Sequence, residues 1–227
     1  MRNILLATAA LIGLAGTANA TQIIDFGQVG LAATVTGTAN AGGTSTTISI
    51  SNAPVLIDQL LGATTPPAIA AFVTFAATST GGIIGVGNAV VQHYNGTFSV
   101  CSTLNCAGVG NVNDLSGTFT DAAFGLLTGS QLSVNISNPP DTLSLTSSVI
   151  PASDLLAPSS FTLSLASVVS PDGGGLEVKN NTLQSFTAGF SGIANASAAA
   201  VPEPGSLALV GLGLLGIGFV RRQSRRT

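Results

Sequence analysis

Residues able to do chemistry are few in this chain, and their scarcity narrows the options. His93, beside Tyr94, is the single imidazole among 227 residues. With a serine and a carboxylate it could complete a nucleophilic triad, in which the histidine takes the serine proton and the acid orients the ring. Serines and aspartates are plentiful, but no Gly-x-Ser-x-Gly elbow occurs, so spacing selects no partner for it. Paired carboxylates could cleave a glycosidic bond, yet no two acids stand out, and their separation belongs to the folded chain. Asn111, Asn113 and Asp114, with Asp121, offer the hard oxygen ligands that calcium takes. They lack the spaced acids and final Glu of an EF-hand loop, and Asn and Asp are equally at home in turns. The resulting expectation is a chain with no catalytic residue, no metal site and no cofactor. A calcium-dependent or carbohydrate-binding module is the alternative, and a secreted hydrolase stands behind it.

Cys101 and Cys106 are the only cysteines. In an oxidising compartment they are expected to form a disulfide, whereas zinc would need two further ligands that one histidine cannot supply. Stacking on sugars would fall to phenylalanines that the core also needs, since Trp is absent and Tyr94 is the sole tyrosine. The Asn-x-Ser/Thr triplets that begin at Asn95, Asn135, Asn180 and Asn195 are of the kind that arises by chance in a chain this rich in Asn, Ser and Thr.

The elements that must position these residues read as strands. Thr46 to Ser51, Gln131 to Ser137, Thr142 to Thr146 and Phe161 to Leu165 alternate apolar and polar residues, the signature of strands with one buried and one wet face. Turn residues fall between them at Gly42-Gly43, Pro66-Pro67, Gly81-Gly82, Asn138-Pro139-Pro140-Asp141 and Pro171 to Gly175. Val55-Leu56 and Gln59-Leu60 have weak helical spacing, which places a short helix near Ala53 to Leu61. Asn95-Gly96-Thr97-Phe98-Ser99 is echoed by Ser116-Gly117-Thr118-Phe119-Thr120, one copy on either side of the cysteines, and the pair reads as the two strands of a local hairpin. The fold class expected is all-β: an antiparallel β-sandwich or jelly-roll-like ectodomain.

Composition agrees. The chain is 45% hydrophobic and 7% charged, the reverse of what keeps a chain disordered. Between Thr21 and Ala200 eight carboxylates face one lysine, Lys179, so the domain repels polyanions and nucleic acid is excluded as a partner. The other cations are terminal, which makes charge a statement about topology.

Arg2, an apolar run from Ile4 to Leu14 and the small-x-small site Ala18-Asn19-Ala20 together form a secretory signal, with cleavage expected after Ala20. Near the other end, Gly205 to Val220 is uncharged. As a helix it would reach about 24 Å, short of a hydrocarbon core of roughly 30 Å, so snorkelling arginines and local thinning must absorb the difference. Arg221, Arg222, Arg225 and Arg226 come next, and the positive-inside rule puts them in the cytoplasm with the central domain outside. Val201-Pro202-Glu203-Pro204 lies just upstream of the apolar run; its two prolines keep the strip extended and open to a processing enzyme.

The order Pro202-Glu203-Pro204, apolar run, Arg221-Arg222 closely resembles the PEP-CTERM sorting signal of Gram-negative bacteria that make exopolysaccharide. The resemblance covers about the last 27 residues. It implies recognition of Pro202, Glu203 and Pro204 by exosortase, a membrane-embedded cysteine-type transpeptidase, and then removal of the tail. The Gly-Thr-Phe, two-cysteine, Gly-Thr-Phe pattern is also vaguely similar to ectodomains of other PEP-CTERM proteins, a likeness that implies no activity. Partners expected on this ground are exosortase, the secretory translocon and, transiently, the inner membrane, with exopolysaccharide a further candidate. The organisation expected is a signal peptide at 1–20, a β-ectodomain at 21–193, a linker at 194–200 and a sorting signal at 201–226. Within that signal the motif is 202–204, the transmembrane helix 205–220 and the basic tail 221–226. The protein would be inner-membrane anchored before processing, and at the cell surface or in the extracellular matrix afterwards.

Overall fold

From Thr46 onward, alternation in the sequence becomes alternation of burial. Thr46, Ile48 and Ile50 are withdrawn from water while Thr47 and Ser51 are exposed. At Asn52 the backbone enters the left-handed region (φ 47°), the register with the next strand slips, and Ala53, Val55 and Ile57 take over the buried positions. One extra residue resets the parity of the strand without breaking it, as a bulge does. This strand also corrects the expectation of a helix near Ala53 to Leu61. β-branched Val55 and Ile57 keep a period of two and pair with neighbours on both sides, which outweighs the weak four-residue spacing.

In this computed structural model the described residues are 20–30, 34–61, 63–86, 89–106, 111–127, 131–138 and 141–198. They carry strands β1 (Thr21–Gln28), β2 (Val35–Ala39), β3 (Thr46–Leu60), β4 (Ala63–Ser79), β5 (Ile84–Val86), β6 (Ala89–Cys101) and β7 (Asn113–Leu127). After these come β8 (Gln131–Asn138), β9 (Thr142–Thr146), β10 (Leu156–Val169), β11 (Val178–Lys179), β12 (Thr182–Leu183) and β13 (Phe186–Ser197). The four alternating segments all fall within strands, and Thr142–Thr146 is β9 itself.

Neighbouring strands run antiparallel in the order β1, β3, β4, β6, β7, β8, β10, β13, and β13 pairs back to β1. The result is a closed eight-stranded barrel, which corrects the expectation of a sandwich or jelly roll. Both architectures need strands with one buried face. What separates them is whether the last sheet edge finds the first, and here the β6–β7 and β1–β13 ladders leave no gap in the ring.

Ring side chains fill the interior. Phe98 stacks on Phe161 with centroids 4.0 Å apart, Phe75 on Phe119 at 5.7 Å, and Phe26 meets Phe190 edge-on. Each fully buried Phe, Leu or Ile contributes about 1.5–3 kcal/mol by leaving water. Many outward positions carry Ser, Thr or Asn, with Leu56, Ile69 and Ile193 among the apolar exceptions, so the wall lacks the continuous apolar band of barrels that face lipid. No helix among the described residues is long and apolar enough to cross a membrane. The expected helix 205–220, like the signal segment before Ala20, lies outside the described residues.

Two boundary expectations change. Pro66-Pro67 does not end a strand: both lie inside β4, between the pairs Ile57–Ile69 and Gln59–Thr64, where the ladder with β3 slips and no proline N–H is required. Ala194 to Ser197, expected to open a linker, are instead the end of β13, with Ala194 and Ala196 fully buried, and the compact unit spans Asn19–Ala198. Alanine and serine read as featureless in sequence; at the barrel wall they are small residues that fit a crowded interior.

One end of the barrel is stopped by the β11–β12 hairpin. Its turn, Asn180-Asn181, has both residues at positive φ, as a two-residue type I′ turn demands. Beneath it Gln92 is fully buried: its amide donates to Thr182 Oγ1 and Gly81 O, and its carbonyl accepts from Tyr94 Oη and the Leu183 N–H. Thr46 Oγ1 donates to Leu183 O. Satisfying every polar atom of Gln92 is what makes its burial tolerable.

Candidate functional site

His93 belongs to β6 and is partly exposed, and the structure gives it a specific partner. Between the β6–β7 pairs Tyr94–Ala122 and Gly96–Phe119 the β7 strand carries one extra residue. Asp121 takes a left-handed conformation there (φ 63°), and its N–H donates to Asn95 Oδ1. The bulge turns the Asp121 carboxylate towards His93, whose Nδ1 lies 3.0 Å from Oδ1. A bulge is a recurrent way of re-aiming a side chain, and no sequence spacing pointed to this pair. Among the described residues no serine or threonine hydroxyl hydrogen-bonds to the His93 ring. The Asp121 side chain is 67% exposed, and an ion pair this wet contributes little to stability.

The oxygen-rich cluster near the cysteines is not brought together as a ligand set. Asn111 accepts from Thr103 Oγ1 and donates to Cys106 O, so both ends of its amide organise the loop. Asn113 donates to Ser116 Oγ. Asp114 is buried, its Oδ2 has no hydrogen-bond partner, and desolvation raises its carboxyl pKa above the ordinary range. Asp121 sits seven residues farther along the same strand, about 23 Å away at 3.3 Å per residue. Among the described residues no group of three or more His, Cys, Asp or Glu is placed to hold a metal ion.

Cys101 and Cys106 form the expected disulfide, with Cα atoms 5.3 Å apart. The bond ties the end of β6 to a 3-10 turn, Leu104–Cys106, on the way to β7. Tyr94, the sole candidate aromatic platform for a sugar outside the phenylalanines, is fully buried, and burial pushes its phenol pKa up. It belongs to the network around Gln92 and presents no face to solvent. Asn180, singled out as part of a glycosylation-like triplet, is instead a turn residue of the hairpin.

The described chain thus presents a closed barrel with the His93–Asp121 pair on its outside and the Gln92–Tyr94 network buried within. Its sorting elements, Ala18, Pro202, Glu203, Pro204 and the arginines at 221, 222, 225 and 226, lie outside the described residues; the expected cleavage bond after Ala20 falls immediately before β1. By class, this is a β-barrel protein with a short terminal appendage. Residues 200–226 match the PEP-CTERM protein-sorting motif, the kind of signal that marks a protein for exosortase. No curated protein and no solved structure matches the chain.

Proposed function

We propose that this is an exported, non-enzymatic surface or matrix protein whose barrel is the cargo and whose tail is its address. The secretory translocon delivers the chain, the apolar segment 205–220 holds it in the inner membrane, and exosortase reads Pro202-Glu203-Pro204 and removes the apolar segment with its arginines. The barrel then passes to the cell surface or the extracellular matrix. The observation that carries this reading is the sorting motif at 200–226, which begins two residues after Ala198, the last residue of the compact barrel. A recognition motif that follows a closed, self-contained domain in the sequence can be cut without disturbing the fold. Mass spectrometry of the chain from cells with and without exosortase tests it by locating both termini. The expected result is an N-terminus at Thr21 in both, with the tail lost only where the enzyme is present. A chain ending at Thr227 in both would overturn the proposal.

A further inference from the structure

The outer face of the β4–β6–β7–β9 sheet is an ordered array of hydroxyl groups. Register puts Thr97 opposite Thr118 and Thr118 opposite Ser144, and one step along the strands it puts Ser99 opposite Ser116 and Ser116 opposite Thr146. These six side chains point out of the barrel, since the residues between them, such as Phe98 and Gly117, face its interior. The strands that carry neighbouring hydroxyls of a row are about 4.8 Å apart, and successive rows are about 7 Å apart along the strands. Ser116 Oγ and Thr146 Oγ1 are hydrogen-bonded to each other at 2.9 Å, whereas Thr97, Ser99, Thr118 and Ser144 spend no hydroxyl on another described residue.

The face is also concave. A depression of about 320 Å³ lies over both rows. It shares Thr74, Ser99 and Ser116 with a second, of about 570 Å³, that reaches Asn111 and the Cys101–Cys106 disulfide. The two form one continuous trough, with the disulfide-tied loop as a wall at one end. Its floor is strand, so the hydroxyls are held in place before any ligand arrives. Neither stretch is lined by a charged side chain.

We propose that this trough binds a neutral glycan chain, deepening the surface-protein reading above. Rows of hydroxyls on strands about 4.8 Å apart, each group able to donate and accept, match the hydroxyls of a sugar polymer. A charged polymer would find no counter-ion here and a net negative domain around it. A lipid or an apolar protein surface would have to strip water from these hydroxyls without replacing their hydrogen bonds. Phe98, the one aromatic residue lining the trough, is buried and offers no face for stacking, so affinity for a single short chain is weak, near the millimolar range. Repeated copies on a surface would raise it by avidity.

The test is affinity electrophoresis of the full chain in a non-ionic detergent, through gels holding dextran, pullulan, a mixed-linkage β-glucan or, as the charged comparison, alginate. The expected result is retardation by at least one uncharged polymer. That retardation should fall several-fold in the Thr97→Val/Thr118→Val double variant, which keeps shape and strand propensity. It should persist in Thr162→Val, on the outer face of β10. Free migration in all three neutral gels overturns the proposal, as does retardation by alginate alone or equal retardation of the trough variant. None of these outcomes touches tail removal, so the sorting reading stands or falls separately.

Discussion

Phe98 stands directly opposite Gly117 across the β6–β7 ladder, and Phe119 stands opposite Gly96. The two Gly-Thr-Phe echoes are thus reciprocal: each supplies a ring and leaves the gap into which the other ring packs. A Cβ added at Gly117 would lie 2.6 Å from the Phe98 ring, and one at Gly96 would meet the Phe119 ring and the backbone carbonyl of Ala76.

Such an interlock sets a graded cost for added methyl groups. Gly117→Ala should destabilise the barrel by about 1–3 kcal/mol, as overpacking does, and Gly96→Ala by more, because backbone yields less readily than the edge of a ring. Gly27→Ala, with nothing within 4 Å of the added carbon, should stay within about 0.5 kcal/mol. Urea midpoints at unchanged slope provide the measurement. Equal effects at all three positions would contradict the interlock.

Reduction of the Cys101–Cys106 bond should cost about 2 kcal/mol, since the loop it closes is short and the unfolded chain loses little freedom through it. Intact mass should rise by two hydrogens on reduction, and thermal midpoints before and after give the cost. Because the loop walls the trough, reduction should also weaken glycan retardation.

Asp114 makes stability depend on pH. Burial holds its carboxyl above the ordinary value of 3.8 in the folded state, so between the unfolded and folded values the native chain binds more protons. Stability therefore falls as pH rises through that window, and is free of this penalty below it. Asp114→Asn should show a shallower decline between acid and neutral pH and be the more stable of the two at neutrality. Parallel stability profiles for the variant and the parent would argue against a buried carboxylate with an unpartnered oxygen.

Glu203 is the one ionisable group of the tripeptide strip. If its charge is read by the processing enzyme, Glu203→Gln and Glu203→Ala should both slow tail removal in exosortase-bearing cells, tracked by mass on a time course. Processing of Glu203→Gln at the parental rate would show that shape alone suffices.

Much of the fold was legible because period-two alternation is a local signal. β8, β9 and the middle of β10 were read from it directly, and the hairpin of β6 and β7 from the Gly-Thr-Phe echo. Closure was not legible: which edge meets which is a long-range fact, and the same alternating residues serve sandwich and barrel alike. Ala53 to Leu61 misled because Val55-Leu56 and Gln59-Leu60 imitate a helical face while pairing on both sides as strand. The His93–Asp121 pair depends on a bulge that only the β6–β7 register reveals. The hydroxyl trough was hidden for the same reason, since Thr97, Thr118 and Ser144 become neighbours only once three strands lie side by side. Cys101 and Cys106 needed no such information, being close in sequence and alone.

Thr21 pairs with Ala196, so the first and last strands of the barrel meet at a single rim, while the Asn180-Asn181 turn, held through Thr46 and Leu183, belongs to the opposite one. The described chain therefore enters and leaves the barrel at one rim. The hairpin end and the hydroxyl-bearing wall between the two rims are both clear of those exits, so neither has to give way to the strand ends.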